Sequence, residues 1–345
     1  MDAAYAGWDN DPKVVEAARA LSEGFTRRPE ERTPDLDPRA LRTAYLAYFA
    51  PRAIAATAFA LQSSPLPGPD QIVLDVGAGT GGASLVAAAS GARRVVLVDR
   101  DPQALGVAER LLGALDKTPL IETRAVDFFA STWKAPFATF LLSAFALGEL
   151  LRERSEEEVL AKLMEAAPKA TRWLLIDAGD ATRARKIQSF REVALSRGFR
   201  VIAPCPHESA CPALVRKKDW CHSKTERELP VRLAAFARAV GRDDTSMNLS
   251  YLALDRDAGH DGSRPAALRV LGDPIREKGR VRLPVCGPDG VRFLQALKRN
   301  RGAHDSLLQM ARGQEFGLAE GPRKGDTVHI ASEDHIAPHD THPKS

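Results

Sequence analysis

The stretch "QIVLDVGAGTGGAS", residues 71–84, limits what this chain can fold into more than any other. An apolar, β-branched run leads straight into glycines at alternate positions, Gly77, Gly79 and Gly81, and then into a helix-forming run. Glycine is needed where the backbone turns sharply and lies against a ligand with no Cβ in the way. The same grammar continues downstream. The runs "RRVVLVD", "LIETRAVDF", "FATFLLS" and "RWLLIDAG" alternate with helical stretches such as "DPQALGVAERLLGALD" and "SEEEVLAKLMEAAPKA". That alternation predicts an α/β fold with a doubly wound, mostly parallel sheet. "GFRVIAPC" and "NLSYLALD" supply a sixth and a seventh strand.

The chain has 345 residues, 44% of them hydrophobic, enough for a large core without disulfides. Residues 1–70 have helical periodicity and predict an N-terminal helical region. Within it "AYLAYFAPRAIAATAFAL" is interrupted by Pro51 and Arg52, so it reads as two core helices and not a membrane span. The α/β domain then covers residues 71–258, with a cysteine-rich insertion at 203–246. Short runs with turns, "ALRVL", "RVRLPVC", "GVRFLQAL" and "DTVHI", predict a small β extension over 259–330, and the polar residues 331–345 a disordered tail. The opening "MDAAYAGWDNDPKVVEAARA" is acidic and lacks the features of a signal or transit peptide, which predicts a cytoplasmic protein.

Gly77, Gly79 and Gly82 satisfy G-x-G-x-x-G, which leaves a dinucleotide open. Asp75 favours S-adenosylmethionine, because a carboxylate two residues before the first glycine can hold that ligand's ammonium group. Asp99 ends the second strand, placed to accept hydrogen bonds from both ribose hydroxyls of either ligand. In "VDFF", Asp127 and Phe128 can hold an adenine; Asp127 can equally cap the next helix. The predicted cofactor site is Asp75, Gly77, Gly79, Gly81, Asp99, Asp127 and Phe128. After the fourth strand the chain reads "LLSAFALGEL", where amino-methyltransferases of nucleic acids carry an Asn/Asp-Pro-Pro-aromatic stretch. Glu149 there suits proton transfer or a cap, and no catalytic residue is assigned.

Cysteine is absent from the first 204 residues, then occurs at Cys205, Cys211, Cys221 and Cys286, a C-x5-C-x9-C-x64-C pattern. In a reducing compartment this points to a metal site before disulfides. The close C-x2–4-C pair of structural zinc sites is missing. Four widely spaced thiols suit an iron–sulfur cluster held from separate loops. His207 and His222 keep a mixed Cys/His zinc site open. In either case Cys286 would clamp the extension to the insertion, with binding energy acting as folding energy.

Net charge is +4, but from Arg264 to Arg301 ten basic residues face three acids. That excess suits a phosphate backbone, or else a solvated face. The candidate RNA contacts are Arg280, Arg282, Arg292, Lys298 and Arg299.

The motifs "VLDVGAGTGGAS", "SAFALGEL", "PCPHESACP" followed by "WCH", "LSYLALD" and "LPVCGPDG" run in order from about Ile72 to Gly290. In this they resemble the methyltransferase-like proteins associated with the small ribosomal subunit in mitochondria and bacteria. The combination of "CPH", "CP" and "WCH" carries most of that likeness. The resemblance implies a class I S-adenosylmethionine-dependent methyltransferase (Rossmann-like) sheet and a 4Fe-4S cluster on Cys205, Cys211, Cys221 and Cys286. It also implies contact with small-subunit rRNA in ribosome assembly by a factor that is monomeric off the ribosome and needs no membrane. Methyl transfer stays open, with an active rRNA methyltransferase as the alternative and a small-molecule methyltransferase as a third reading. "DAGDATRARKI" departs from the family's Glu-Pro-Gly wording after the fifth strand.

Overall fold

The computed structural model describes residues 11–24, 37–64, 67–226, 229–241, 245–256, 267–318 and 321–338. Two compact units emerge. One comprises Met1–Phe59, Leu66–Ala144 and Thr225–Met247; the other comprises Ala60–Pro65, Phe145–Lys224 and Asn248–Ser345.

The chain opens with α1 (Pro12–Gly24), α2 (Pro38–Ala44) and α3 (Ala50–Leu61). Asp37 starts α2 by accepting the Arg39 N–H. The two helices expected around Pro51 are joined instead, because Tyr45–Phe49 forms a π-helical turn between α2 and α3. Pro51 has no N–H to return to the preceding turn. The chain widens just before it, with Ala50 N–H bonding to Tyr45 O, and the helix runs on. This run, Pro38–Leu61, is long and apolar enough by composition to cross a bilayer, and about half of it is buried inside the protein.

Next come β1 (Ile72–Val76), α4 (Gly82–Ala89), β2 (Arg94–Asp99), α5 (Pro102–Gly113), β3 (Leu120–Ala125) and β4 (Phe140–Ala144). Asp101 caps α5 through the N–H groups of Gln103 and Ala104, with Pro102 as its first residue. All pairings among these strands are parallel, in the order β3-β2-β1-β4. Val73, Leu74, Val95, Val96 and Leu141 are buried, the near-continuous apolar run of a strand covered on both faces. The order reverses between β1 and β4, and ligands of open α/β sheets bind at the carboxyl ends of strands at such a reversal.

The second unit continues with α6 (Leu147–Leu150), α7 (Glu156–Ala166), β5 (Arg172–Ala178), α8 (Ala181–Ser196) and β6 (Arg200–Ala203). Ser155 and Glu158 form a capping box at the start of α7. β7 (Ser223–Glu226) and α9 (Val231–Ala239) arise within the stretch read as insertion. α9 joins the first unit, where Phe236 and Val240 pack with Val14, Ala17, Ala44 and Tyr48. β8 (Ser246–Asp255) lies between β5 and β6, antiparallel to both, with Ile176 opposite Tyr251 and Val201 opposite Leu254.

The remainder forms a second sheet from β9 (Ala267–Val270), β10 (Ile275–Glu277), β11 (Arg280–Gly287) and β12 (Gly290–Leu297), then α10 (Arg301–Gln309). β13 (Glu315–Leu318), β14 (Arg323–Lys324), β15 (Thr327–His329) and β16 (Ile336–Pro338) complete it. Its order is β14-β15-β12-β11-β9-β13-β16, with β10 on β11. Val281, Leu283, Val285, Leu294, Leu307 and Phe316 form its core. The tail expected from residue 331 needs correcting over 331–338. β16 pairs with β13, and Ile336 packs on this core, which gives a polar segment an apolar anchor. Residues 339–345 lie outside the described residues, as does the opening at 1–10.

Candidate functional site

The glycine loop joins β1 to α4 with Gly77, Gly79 and Gly81 all at positive φ (74°, 52° and 77°). At Gly81 a Cβ would also lie 2.7 Å from the Ala108 Cβ, so only glycine lets α4 and α5 approach this closely. Asp99 holds the loop in shape: its Oδ2 accepts the Gly79 N–H (2.8 Å) and its Oδ1 the Asp101 N–H (3.0 Å). Each carboxylate oxygen keeps a lone pair for a ribose hydroxyl.

Asp75 is 1% exposed. Ser84 Oγ donates to its Oδ2 (2.7 Å), while its Oδ1 is buried with no partner. Burial pushes the Asp75 carboxyl up to about 7 against the Ser84 hydrogen bond, and the nearby Asp99 pushes the same way. A buried carboxylate oxygen without a donor is what an ammonium-bearing ligand satisfies. Asp127 caps a turn and no helix, its Oδ1 accepting from Phe129 N (2.9 Å) and Ala130 N (3.0 Å), and the Phe128 ring packs edge-on against Phe129.

The second unit holds a group that the sequence did not point to. Phe145, just after β4, sits at φ +61°, a sparsely populated conformation for a bulky residue. Its N–H is anchored on Ile176 O (2.7 Å). Asp177 is buried, accepts the Gly148 N–H at Oδ2 (2.8 Å) and the Ala178 N–H at Oδ1 (2.8 Å), and faces Arg183 Nε at 3.4 Å. Burial raises its carboxyl to about 6. A Cβ on Gly148 would stand 2.8 Å from Asp177 Oδ2, so glycine is required for this contact. Lys186 Nζ donates to Gly148 O (3.2 Å) and Leu151 O (2.9 Å). The "ALGEL" segment is therefore fixed through its backbone, while Glu149 is exposed.

The four cysteines come together, although three lie on one loop and the fourth on β11. Cys205, Cys211, Cys221 and Cys286 line one cavity of about 50 Å³, against the roughly 10–15 Å³ that a single water needs. All four are free thiols, with Cys286 buried. Burial pushes Cys286 well above the usual thiol range, and repulsion from Cys205, Cys221 and Cys211 adds to it; Cys211 is raised to about 11, again mainly by burial. Thiols raised in this way, Cys286 and Cys211, are protonated at neutral pH and would give up the proton to bind a metal. Among the described residues no three His, Cys, Asp or Glu side chains converge as a site for one metal ion. Four cysteines on one cavity are a donor set that suits a tetrahedral zinc ion or a four-iron cluster with one cysteine to each iron.

α8 positions this loop from one face. Gln188 Nε2 donates to Cys221 O (3.0 Å), and Arg191, 1% exposed, donates to His207 O (2.6 Å) and Ser209 O (3.2 Å). Glu192 accepts the Cys211 N–H (3.3 Å). His207 Nε2 lies 3.2 Å from Cys286 Sγ. Burial, then the Arg191 charge, lowers the His207 pKa; burial, then Arg312 and Arg269, takes His222 down to about 4. Both rings are thus neutral. Arg269 stands opposite Cys286 in the β9–β11 register. It is buried, donates to Ser223 Oγ (2.6 Å) and Gly313 O (2.8 Å), and lies 3.5 Å from Glu315. Arg269→Met should lower the unfolding free energy by about 3 kcal/mol, since it removes the buried guanidinium that Glu315, Ser223 and Gly313 share. Urea unfolding checks this, and an unchanged midpoint would show that Glu315 does not depend on the pair.

The basic strip is less free than its composition implied. Arg280 and Arg282 both pair with Glu277, Arg282 also lies 4.0 Å over the Phe293 ring, and Arg292 pairs with Asp289, which Arg323 shares. Lys298 and Arg299 are exposed in the turn before α10.

A parallel β3-β2-β1-β4 order with a glycine loop after β1 and a carboxylate ending β2 defines a Rossmann-like α/β domain of the class I methyltransferase type. A model of the family described as mitochondrial small ribosomal subunit Rsm22 matches residues 40–320. The chain belongs to that family. It is 31% identical over 264 residues to the human ribosome assembly protein METTL17, mitochondrial, covering 72% of this chain and 54% of that protein. To the yeast (Saccharomyces cerevisiae) ribosome assembly protein RSM22, mitochondrial, it is 22% identical over 171 residues, covering 32% of this chain and 27% of that one. The chain therefore spans about half of the human relative and about a quarter of the yeast one. Among solved structures, a putative RNA methyltransferase from Pyrococcus horikoshii has a TM-score of 0.38 at 18% identity, covering 59% of this chain and 84% of that one. Both curated relatives are mitochondrial, which overturns the cytoplasmic expectation. That expectation rested on the composition of the first twenty residues alone.

Proposed function

We propose that this chain is an S-adenosylmethionine-binding, iron–sulfur factor that contacts small-subunit rRNA and assists assembly of the small ribosomal subunit, acting as a monomer off the ribosome. The observation that carries the reading is the convergence on one cavity of four cysteines, spaced as in the resembling family, in a chain with no other cysteine. Cys205, Cys211, Cys221 and Cys286 would hold the cluster, which when bound supplies four iron–thiolate bonds that tie β11 to the cysteine loop. In the first unit Asp75 would take the ammonium group of S-adenosylmethionine, Asp99 its ribose, the backbone at Gly77, Gly79 and Gly81 would lie along it, and Asp127 and Phe128 would border its adenine. Ribosome assembly is what the two curated relatives are named for.

Arg280, Arg282, Arg292, Lys298 and Arg299 would meet rRNA phosphates. Pairing with Glu277 or Asp289 leaves further guanidinium N–H groups on the three arginines for that purpose. Replacing Arg280, Arg282 and Arg292 together with alanine should weaken rRNA binding and flatten its salt dependence, by about 0.7–0.9 in the log–log slope for each phosphate no longer neutralised. Filter binding over a salt series measures this. An unchanged slope removes that surface.

A second reading, an active rRNA methyltransferase, is favoured by the formed glycine loop and the unpartnered Asp75 Oδ1. Positioning a sulfonium carbon against a good nucleophile needs little acid–base chemistry. Transfer of labelled methyl groups to purified small subunits, abolished in Asp75→Ala, would establish it. No transfer by the native chain would leave the ligand as a structural element of the assembly factor.

A further inference from the structure

Between Cys211 and Cys221 the chain makes an excursion, "PALVRKKDW", of which the cavity takes only Pro212 and Ala213 and the basic strip nothing. After the short 3-10 turn Pro212–Leu214, its backbone is gathered round one side chain of α8. Arg185 Nη1 donates to Ala213 O (2.9 Å), Arg216 O (2.9 Å) and Asp219 O (2.7 Å), and Nη2 reaches Leu214 O at 3.5 Å. With the carbonyls turned inward to that guanidinium, the side chains from Val215 onward are exposed. Val215 is 82% exposed, and Arg216, Lys217 and Lys218 are exposed beside it. Among the described residues none of these three cations takes part in an ion pair, unlike Arg280, Arg282 and Arg292.

Trp220 closes the loop and is 40% exposed. Its position is built, not incidental: Nε1–H donates to Gly179 O (3.2 Å), and the indole stacks on the His222 ring at 6.1 Å between centroids and 20° between planes. A large aromatic side chain is thus fixed at one edge and backed by a second ring, with 40% of its surface exposed. Little side-chain freedom remains to be lost when something stacks on it.

We infer that this loop is a docking platform for unpaired RNA, with a base stacked on Trp220 and the adjoining phosphates on Arg216, Lys217 and Lys218. Cations that track a backbone beside a fixed aromatic face are the means by which proteins hold single strands. A duplex keeps its bases stacked inside and could use only the charges. The inference rests on the proposed rRNA contact and names the form of RNA that this surface takes.

The test uses the full chain, purified anaerobically, and anisotropy titrations of a short unpaired RNA and of a hairpin stem. Native protein is compared with Trp220→Ala, Trp220→Phe, an Arg216→Ala/Lys217→Ala/Lys218→Ala variant and the Arg280/Arg282/Arg292 alanine variant. Trp220→Ala should weaken single-strand binding about tenfold while Trp220→Phe keeps most of it, and the hairpin should be indifferent to both. The Arg216/Lys217/Lys218 variant should lower the salt slope by about 2, at about 0.7 per phosphate. Binding should also quench the part of the tryptophan emission that Trp220→Phe lacks. Full affinity in Trp220→Ala with no such quench overturns the platform. If the Arg280/Arg282/Arg292 variant then loses binding, RNA contact stands through the β extension alone. Native protein that binds neither RNA removes both the platform and the rRNA reading.

Discussion

In a Cys286→Ser variant, anaerobically purified protein should lack the matching iron and acid-labile sulfide, and the cluster absorbance, that the proposed site would give the native chain. Cys286 supplies the thiol from β11, whereas Cys205, Cys211 and Cys221 lie on the loop that α8 steadies. Serine places a harder, less acidic donor on a shorter bond at the one position the loop cannot replace. Metal-site binding energy reaches about 10 kcal/mol or more in small domains, where it is folding energy, so a large fall in thermal midpoint should accompany the loss. The effect should exceed that of removing a typical core side chain, about 2–5 kcal/mol. Zinc without sulfide in the native protein would refute the cluster and leave the sheet assignment intact. Native iron in Cys286→Ser would show that the other three cysteines suffice, and the clamp would be lost.

Asp75→Asn should weaken S-adenosylmethionine binding at least about 30-fold, because truncating one partner of a buried charge pair costs roughly 2–5 kcal/mol. Isothermal titration measures it. The pH dependence separates this from a simple packing defect. Without ligand, burial holds the Asp75 carboxyl near 7, well above the ordinary 3.8. Its charged form, the one an ammonium group needs, is therefore scarce in acid. Affinity should climb about tenfold per pH unit up to about pH 7 and level off above it. In Asp75→Asn the profile should be flat. A flat profile in the native chain would mean that the ligand's ammonium group is held elsewhere.

The surface predictions read different chemistry. The salt slope of the Arg280/Arg282/Arg292 variant reports on long-range charge, and the stability of Arg269→Met reports on a buried ion pair.

Periodicity and turn residues were sufficient for the alternating strands and helices from Ile72 to Ala203, since each element's pattern is written in its own residues, but not for β7 and α9 in the stretch read as an insertion. Gly77, Gly79 and Gly81 at positive φ are legible for the same reason: a backbone requirement restricts the residue at that position. The cysteines were legible as a set because the chain has only four. The continuation of the helix past Pro51 was not, because a π turn depends on how the preceding turn can shift against its packing partners. Nor was the order of residues 331–338, which hangs on Ile336 finding the core of the second sheet.

The sequence alone determined the α/β class, the glycine loop and the identity of the thiols, all of which depend on local spacing and rare residue types. Only the tertiary structure decided which distant groups meet. Cys286 faces the loop cavity with Arg269 opposite it across β9 and β11. Arg185, Gln188 and Arg191 hold loop carbonyls up to 34 positions away along the chain. Asp177 reaches back to Gly148. A buried guanidinium or carboxylate is stable only where folding brings it a partner, and nothing in its immediate neighbours along the chain says which partner that is.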